Sequence, residues 1–430
     1  MNSKEWNMDS IENLTKRVKV GFVGSCEKFY CNKSEGIPMI RTTNLKDNGI
    51  DFSELKYVTK EFHMKNKKSQ LNQNDILVAR HGDNGKACLF DKNIEANCLN
   101  VIIVEPDETK LLPKFLKYLF DSPIVKNQVS EAIVGSVQNV VNTKTIAKIV
   151  VPSPLLSEQK AIADTLSCLD NKIELNNRIN KNLEEMAQAI FKSWFVDFEP
   201  FQDGEFEDSE LGVIPKGWRV GTIGDLVSDT VGGDWGKESI EGNYTEKVTC
   251  IRGADIPEIS IGKRGKPATR YILKKNLDKK NLTEGQIIIE ISGGSPTQST
   301  GRTALITSGL IANSDSPLIC TNFCRALTIK GVHHSSFVYS LLQYLYSKDL
   351  FFLFENGTTG IKNLDTNNLF SKHSIVIPNL ETVISFDNLF KKFINIIYEN
   401  GSQSEQLSYI RDSLLPKLMS GEIRVQVGEE

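Results

Sequence analysis

The chain repeats itself. Glu5–Leu14 (EWNMDSIENL) reappears as Gly217–Leu226 (GWRVGTIGDL), and Met39–Leu45 (MIRTTNL) as Cys250–Ile256 (CIRGADI). NDILVAR from Asn74 answers GQIIIEI from Gly285, and GKACLF from Gly85 answers GRTALI from Gly301. Further on, SVQNV from Ser136 answers GIKNL from Gly360, and AKIVVPSP from Ala147 answers KHSIVIPNL from Lys372. Matches that keep one order with slowly drifting spacing are the mark of a duplicated unit. Any fold must therefore be built twice.

Each copy ends in a helical pattern. In the first, apolar positions recur by alternating fours and threes at Ile162, Leu166, Leu169, Ile173, Leu183, Ala187, Ile190 and Trp194. This is a heptad seam. Asn176 and Asn180 occupy two successive seam positions near its middle. In the second copy the same seam reads Phe386, Phe390, Phe393, Ile397, Leu407, Leu414 and Leu418, with Asn400 and Ser404 at the polar positions and Gln403 adjacent.

Before each helix lie short β-branched segments bounded by Gly, Pro, Asn and Asp, which read as strands. They include IPMIRTTNL, DILVAR and NVIIVEP in copy one, and KVTCIRGADI and QIIIEIS in copy two. KFLKYLFDSPIVKNQV and SSFVYSLLQYLYSKDLFFLF read as helices packed on them. The expected fold class is α+β: two similar α/β domains separated by a long antiparallel two-helix coiled coil, an internal pseudo-two-fold repeat. The boundaries are a first domain over 1–155, a first helix over 156–198, an acidic linker over 199–212, a second domain over 213–380 and a second helix over 381–425.

A helix of about 40 residues spans ~60 Å, so it would hold the two domains apart. An antiparallel return of the second helix would relate the copies by a two-fold axis across the middle of the coil. Two similar readers related by such an axis match the symmetry of duplex DNA. Divergent loops would make the target bipartite and asymmetric. A coiled-coil scaffold that never touches DNA fits the same symmetry. The amides at Asn176, Asn180, Asn400 and Gln403 would meet at the axis. They either select the register through buried partners or lie wet where the coil opens. In the first case, leucines there would give a more stable coil with poorer control of spacing.

A net charge of -3 announces no nucleic-acid partner by itself, but Lys and Arg gather locally while acid gathers over 197–212. In copy one the candidate DNA contacts are Arg41, Thr42, Thr43 and Asn44 at a strand end, Lys67, the loop residues Arg80, His81, Asn84 and Lys86, and Gln138 with Asn139. In copy two they are Trp235, Lys237, Arg252, Lys263, Arg264, Arg270, Ser292, Gln298, Arg302, Lys362 and Asn363. Arg suits guanine edges, Asn and Gln suit adenine, and Lys or Ser/Thr suits phosphate.

Catalytic machinery is not evident. There is no GxxxxGK[ST] loop, no Asn-Pro-Pro-aromatic stretch, no glycine-rich strand-to-helix turn and no separated acid pair with a lysine. The eight cysteines are scattered without a zinc spacing and read as reduced thiols. The polar N-terminus and the lack of an apolar run of ~18 residues suggest a cytoplasmic protein with no membrane segment.

Over essentially its full length the chain resembles the specificity subunits of type I restriction-modification systems. The resemblance rests on the paired domain starts, the strand ends IRTTNL and IRGADI, Ser157–Phe201 (SEQKAIADTLSCLDNKIELNNRINKNLEEMAQAIFKSWFVDFEPF) and the ending SLLPKLMSGEIRV (Ser413–Val425). It implies two target recognition domains reading double-stranded DNA. It implies two docked methyltransferase subunits and further motor-nuclease subunits. S-adenosylmethionine, ATP and Mg2+ would sit on those partners and not on this chain, which would be a non-catalytic subunit. One departure is visible. The second helix begins ETVISFDNLF, without the Ser-Glu-Gln-Lys start found at Ser157.

Overall fold

A computed structural model describes residues 6–47, 49–82, 85–134, 140–295, 297–357 and 362–425. By its contacts the chain divides into two units, Met1–Asn171 with Ser408–Glu430, and Lys172–Leu407.

In the first unit a four-stranded antiparallel sheet runs in the order Thr15–Val20, Val101–Pro106, Ile76–Ala79, Ala87–Leu89. Its inner strands are the continuous apolar runs that a sheet covered on both faces requires. Alternate side chains point to opposite faces. Ile76, Val78, Ile102 and Val104 enter one core with Phe115, Leu116, Ile162 and Leu166. Leu77, Ala79, Val101 and Ile103 enter another with Ile40, Phe90 and Cys98. A second sheet sets Asn97–Leu99 parallel to Ile37–Arg41, followed by Lys56–Val58 and Tyr30–Cys31. Asn7–Ser10 pairs with Val150–Ser153 and closes the domain.

The second unit repeats the plan. Its four-stranded sheet runs Val227–Gly232, Cys324–Ile329, Ile287–Glu290, Thr303–Leu305. Leu318–Cys320 lies parallel to Tyr244–Ile251, which pairs with Ala268–Leu273. Arg219–Thr222 pairs with Ser374–Ile377. The duplication read from short matches is thus a duplication of strand order and of parallel and antiparallel sense.

The long helices run Leu156–Phe195 and Leu380–Ser420. Seam positions Ile162, Leu166 and Ala187 are buried, as are Asn176 and Asn180. In the first unit Ile162, Ala163 and Leu166 share a core with Leu415, Leu418 and Met419. In the second unit Asn176 meets Gln403, and Asn180 meets Ile397, so the helices are antiparallel there. Phe191 and Phe195 are buried off the seam, edge-on or tilted against Phe337 and Phe386.

Three segments differ from the sequence reading. KFLKYLFDSPIVKNQV is two helices, Pro113–Asp121 and Pro123–Val134, because Pro123 has no amide hydrogen and drives Ser122 into extended backbone. The 335–354 segment is helical over His334–Ser347, then turns through left-handed Asp349 into a 3-10 turn over Leu350–Phe354. The acidic stretch carries a hairpin, Phe206–Ser209 with Gly212–Pro215. Phe198 and Phe201 anchor it edge-on to Trp218 at 5.6 and 5.0 Å.

Candidate nucleic-acid interface

The two copies end equivalent strands in the same turn. Arg41 and Arg252 are extended, and a side chain three residues on caps each one's amide. Asn44 Oδ1 accepts from Arg41 N at 3.0 Å, and Asp255 Oδ2 accepts from Arg252 N at 2.9 Å. Asn44 and Asp255 are buried. Asn44 Nδ2 also donates to Asp51 O and Glu54 O, so Asn44 serves the turn. Thr42 Oγ1 donates to Asn100 O at 3.4 Å, while Thr43 is exposed.

Two of the expected guanine-reading arginines are engaged by buried carboxylates. Arg252 Nε and Nη2 donate to the two oxygens of Asp255 at 3.0 Å each, and Nη2 also donates to Lys266 O at 2.6 Å. Arg302 grips Glu290 in the same two-pronged way, at 2.9 and 2.6 Å. Glu290 and Asp255 are each only 3% exposed. These hydrogen bonds hold both guanidinium groups above their ordinary pKa. Removing one partner of a buried pair leaves an uncompensated charge, so these arginines support the fold. Lys362 resembles them. It meets Glu355, whose side chain is 6% exposed, at 2.8 Å, and Glu355 also accepts from Thr300 N.

Five further candidate cations pair with acids that face water. Lys86 meets Asp47 at 2.7 Å, Lys237 meets Glu241 at 3.3 Å, and Lys263 meets Glu258 at 3.3 Å. Arg264 meets Asp315 at 3.1 Å. Arg270 meets Glu238 at 3.2 Å while its guanidinium lies 3.9 Å from the centroid of the half-exposed Trp235 ring. Pairs of this kind contribute at most about 1 kcal/mol. A phosphate oxygen can take the place of such a carboxylate at little cost. Lys67, His81, Gln298 and Asn363 are exposed. Asn84, Gln138 and Asn139 lie outside the described residues.

Some expected contacts converge. In the first unit Arg80 Nε donates to Val141 O, and Val141 N donates back to Arg80 O. Lys86 ties the same loop to Asp47 beside the Arg41 turn. In the second unit Ser292–Gly293 pairs with Lys362–Asn363. Glu290, gripped by Arg302, fills the space beside Gly253 and Gly293. Arg264 N donates to Glu405 of the second long helix at 2.8 Å.

At the seam, Asn176 Nδ2 donates to Gln403 Oε1 at 2.9 Å and Ser404 Oγ at 3.2 Å. Asn180 Nδ2 donates to Ile397 O and Ile261 O at 3.0 Å each, and Asn400 Nδ2 donates to Asn180 Oδ1 at 2.9 Å. Asn176 and Asn180 are buried here, and two backbones approach closely. A Cβ on Gly401 would lie 2.2 Å from Gly262 O, and Gly262 has a φ of +80°. Only glycine permits that approach.

Residues 22–185 match the family model described as the type I restriction modification DNA specificity domain. The chain is 28% identical to the type I restriction enzyme MjaIX specificity subunit of Methanocaldococcus jannaschii over 329 residues, covering 74% of this chain and 70% of that one. It is 24% identical to the HindI specificity subunit of Haemophilus influenzae, covering 97% and 100%. Over these spans the chain is similar to type I restriction specificity subunits. Its fold is shared with the type I restriction-modification system S subunit from M. genitalium at 16% identity and a TM-score of 0.57, covering 97% of each chain.

The family-like Ser157–Lys160 start of the first long helix has a structural use that sequence reading missed. Gln159 is buried. It accepts from Leu112 N and donates to Lys110 O and Pro154 O, all within 2.9 Å. Glu158 accepts from Trp6 Nε1 at 2.9 Å and Arg424 Nη1 at 2.8 Å, and Arg424 stacks on the Trp6 ring. The second helix lacks that start. It is fixed instead by the fully buried Asp387, which accepts from Ser336 Oγ and Lys391 Nζ and meets His333 Nδ1 at 2.7 Å. Among the described residues no helix is long and apolar enough to cross a membrane, and no group of three or more His, Cys, Asp or Glu could hold a metal.

Proposed function

We propose that this chain is a type I restriction specificity subunit that binds double-stranded DNA and reads a bipartite, asymmetric site, one recognition domain per half-site. The observation that carries this reading is a common frame with unlike loops. Both copies hold the same capped strand-end turn, yet one presents Thr42-Thr43 and the other Gly253-Ala254. Such a design keeps the approach to DNA constant and varies what is read.

Within the frame, Thr43, Lys67, His81, Lys86, Trp235, Lys237, Arg264, Arg270, Gln298 and Asn363 are the contacts to bases and phosphates. Asn84, Gln138 and Asn139 join them as loop candidates. Arg252 and Arg302 act indirectly, by holding the turn and the loop. The subunit docks two methyltransferase subunits and the restriction subunits. S-adenosylmethionine, ATP and Mg2+ work on those partners, and this chain contributes no catalytic group.

The test is selection of bound duplexes from a random pool by the chain with its methyltransferase partner. A two-part motif of fixed spacing is expected. A complex that binds all duplexes alike would overturn the reading, and one that retains no duplex would leave the scaffold reading, in which the coil organises partners without DNA contact.

A further inference from the structure

The two units solve one packing problem differently. In the first, Arg411 Nη1 donates to Asp170 Oδ1 at 2.8 Å and Tyr118 OH donates to Asp170 Oδ2 at 2.6 Å. An arginine from one long helix, an aspartate from the other and a domain tyrosine thus fill the groove between helices and domain.

The alignment that sets Ile162 on Phe386 sets Asp170 on Ile394 and Ala187 on Arg411. Matching KYLF (Lys117–Phe120) with QYLY (Gln343–Tyr346) sets Tyr118 on Tyr344. In the second unit the tyrosine is kept, but the arginine has become alanine and the aspartate isoleucine. A cavity of about 450 Å³ stands at that place, with Ala187, Ile394, Tyr344, Tyr339 and Phe390 in its lining. That volume is within the range of small-molecule sites.

The cavity is not merely apolar. Glu184, one turn before Ala187, lines it, and Glu184 Oε1 is buried without a hydrogen-bond partner. The nearby cations are engaged elsewhere. Lys192 pairs with Asp197, and Lys348 Nζ lies 5.6 Å from the Tyr344 ring centroid. Gln343 donates to Thr303 O and Tyr339 OH. An orphan carboxylate oxygen amid aromatic rings, where the sister unit places a guanidinium, calls for a cation with an apolar stem. Ring faces attract such a group and the carboxylate neutralises it.

We propose that this cavity binds a small organic cation, an alkylguanidinium or alkylammonium, with its head on Glu184 and its stem among Tyr339, Tyr344, Phe390 and Ile394. The site is independent of the DNA-reading function. Titration calorimetry of the full chain with n-butylguanidinium tests it. Saturable one-to-one binding is expected, with neutral n-butylurea bound far more weakly. Glu184→Gln should weaken binding about tenfold or more, the loss typical of a charge-assisted hydrogen bond. Ala187→Arg, which supplies the guanidinium from within, should abolish binding and raise the thermal midpoint. The proposal fails if the unaltered chain gives no saturable heat up to about 10 mM ligand, or if n-butylurea binds equally well. Unchanged binding in Glu184→Gln, or a lowered midpoint in Ala187→Arg, would equally overturn it.

Discussion

Asn400 donates from Nδ2 to Asn180 Oδ1 at 2.9 Å, and Asn180 passes its own amide hydrogens to Ile397 O and Ile261 O. The second of these acceptors belongs to the recognition domain of the same unit. One amide therefore fixes both the helix pairing and the seat of the domain on it.

Asn180→Leu removes the donor to Ile261 O and strands the Asn400 amide. A buried orphan costs ~1–3 kcal/mol, so urea unfolding should show a loss of that order. Asn176→Leu should cost less, because Asn176 Oδ1 is already buried without a partner. Equal losses at the two positions would contradict the pairing described.

Arg302 and Lys237 are both basic and both loop residues, yet their substitutions should behave differently. Arg302→Ala leaves buried Glu290 uncompensated and should cost ~3–5 kcal/mol of stability. Lys237→Ala breaks an exposed pair and should cost less than ~1 kcal/mol, while weakening DNA binding and reducing its salt dependence. Thermal or urea unfolding and a salt titration of binding measure the two effects separately.

The fold was legible where its signals are local. Strand runs such as Ile76–Ala79 and Val101–Pro106, and the heptad seam with its two asparagines, carry their own periodicity. Partners set by tertiary contact were not legible. Nothing near Arg302 marks Glu290 as its buried acceptor, and Ile261 is far from Asn180 in sequence. The leucine substitutions that look stabilising from the seam alone become costly once the Ile261 carbonyl is seen. Gln159 was visible only as part of a family-like motif, because its donor Leu112 N and its acceptor Lys110 O lie on a loop about fifty residues earlier.

Asp75 gives the first unit a pH dependence. Its carboxyl is buried, with Oδ2 accepting from Asn72 N and Oδ1 without a partner, and burial pushes its pKa up to about 6. A folded pKa above the unfolded one means the native chain holds the proton more tightly. Its contribution to stability is therefore present at low pH and is lost as pH rises from about 4 to about 6. Asp75→Asn should remove this slope and should be more stable than the unaltered chain at pH 8. Parallel stability curves from pH 4 to pH 8 would contradict the assignment.

Glu158 joins Trp6 to Arg424. Glu158→Ala should free the indole, shift its fluorescence to longer wavelength and lower stability by ~1–3 kcal/mol, the worth of hydrogen bonds to a charged group. Glu381→Ala at the start of the second helix, where no such clamp exists, should leave tryptophan emission unchanged.

Bipartite reading is tested most directly by mapping methylated bases, by single-molecule sequencing, in DNA from cells carrying this chain and its proposed methyltransferase partner. Exchanging Thr43, His81 and Lys86 for the residues of a relative with another target should rewrite one half of a two-part motif and leave the other half and the spacing unchanged. Methylation without a two-part motif, or an exchange that alters both halves together, would contradict the reading of one domain per half-site.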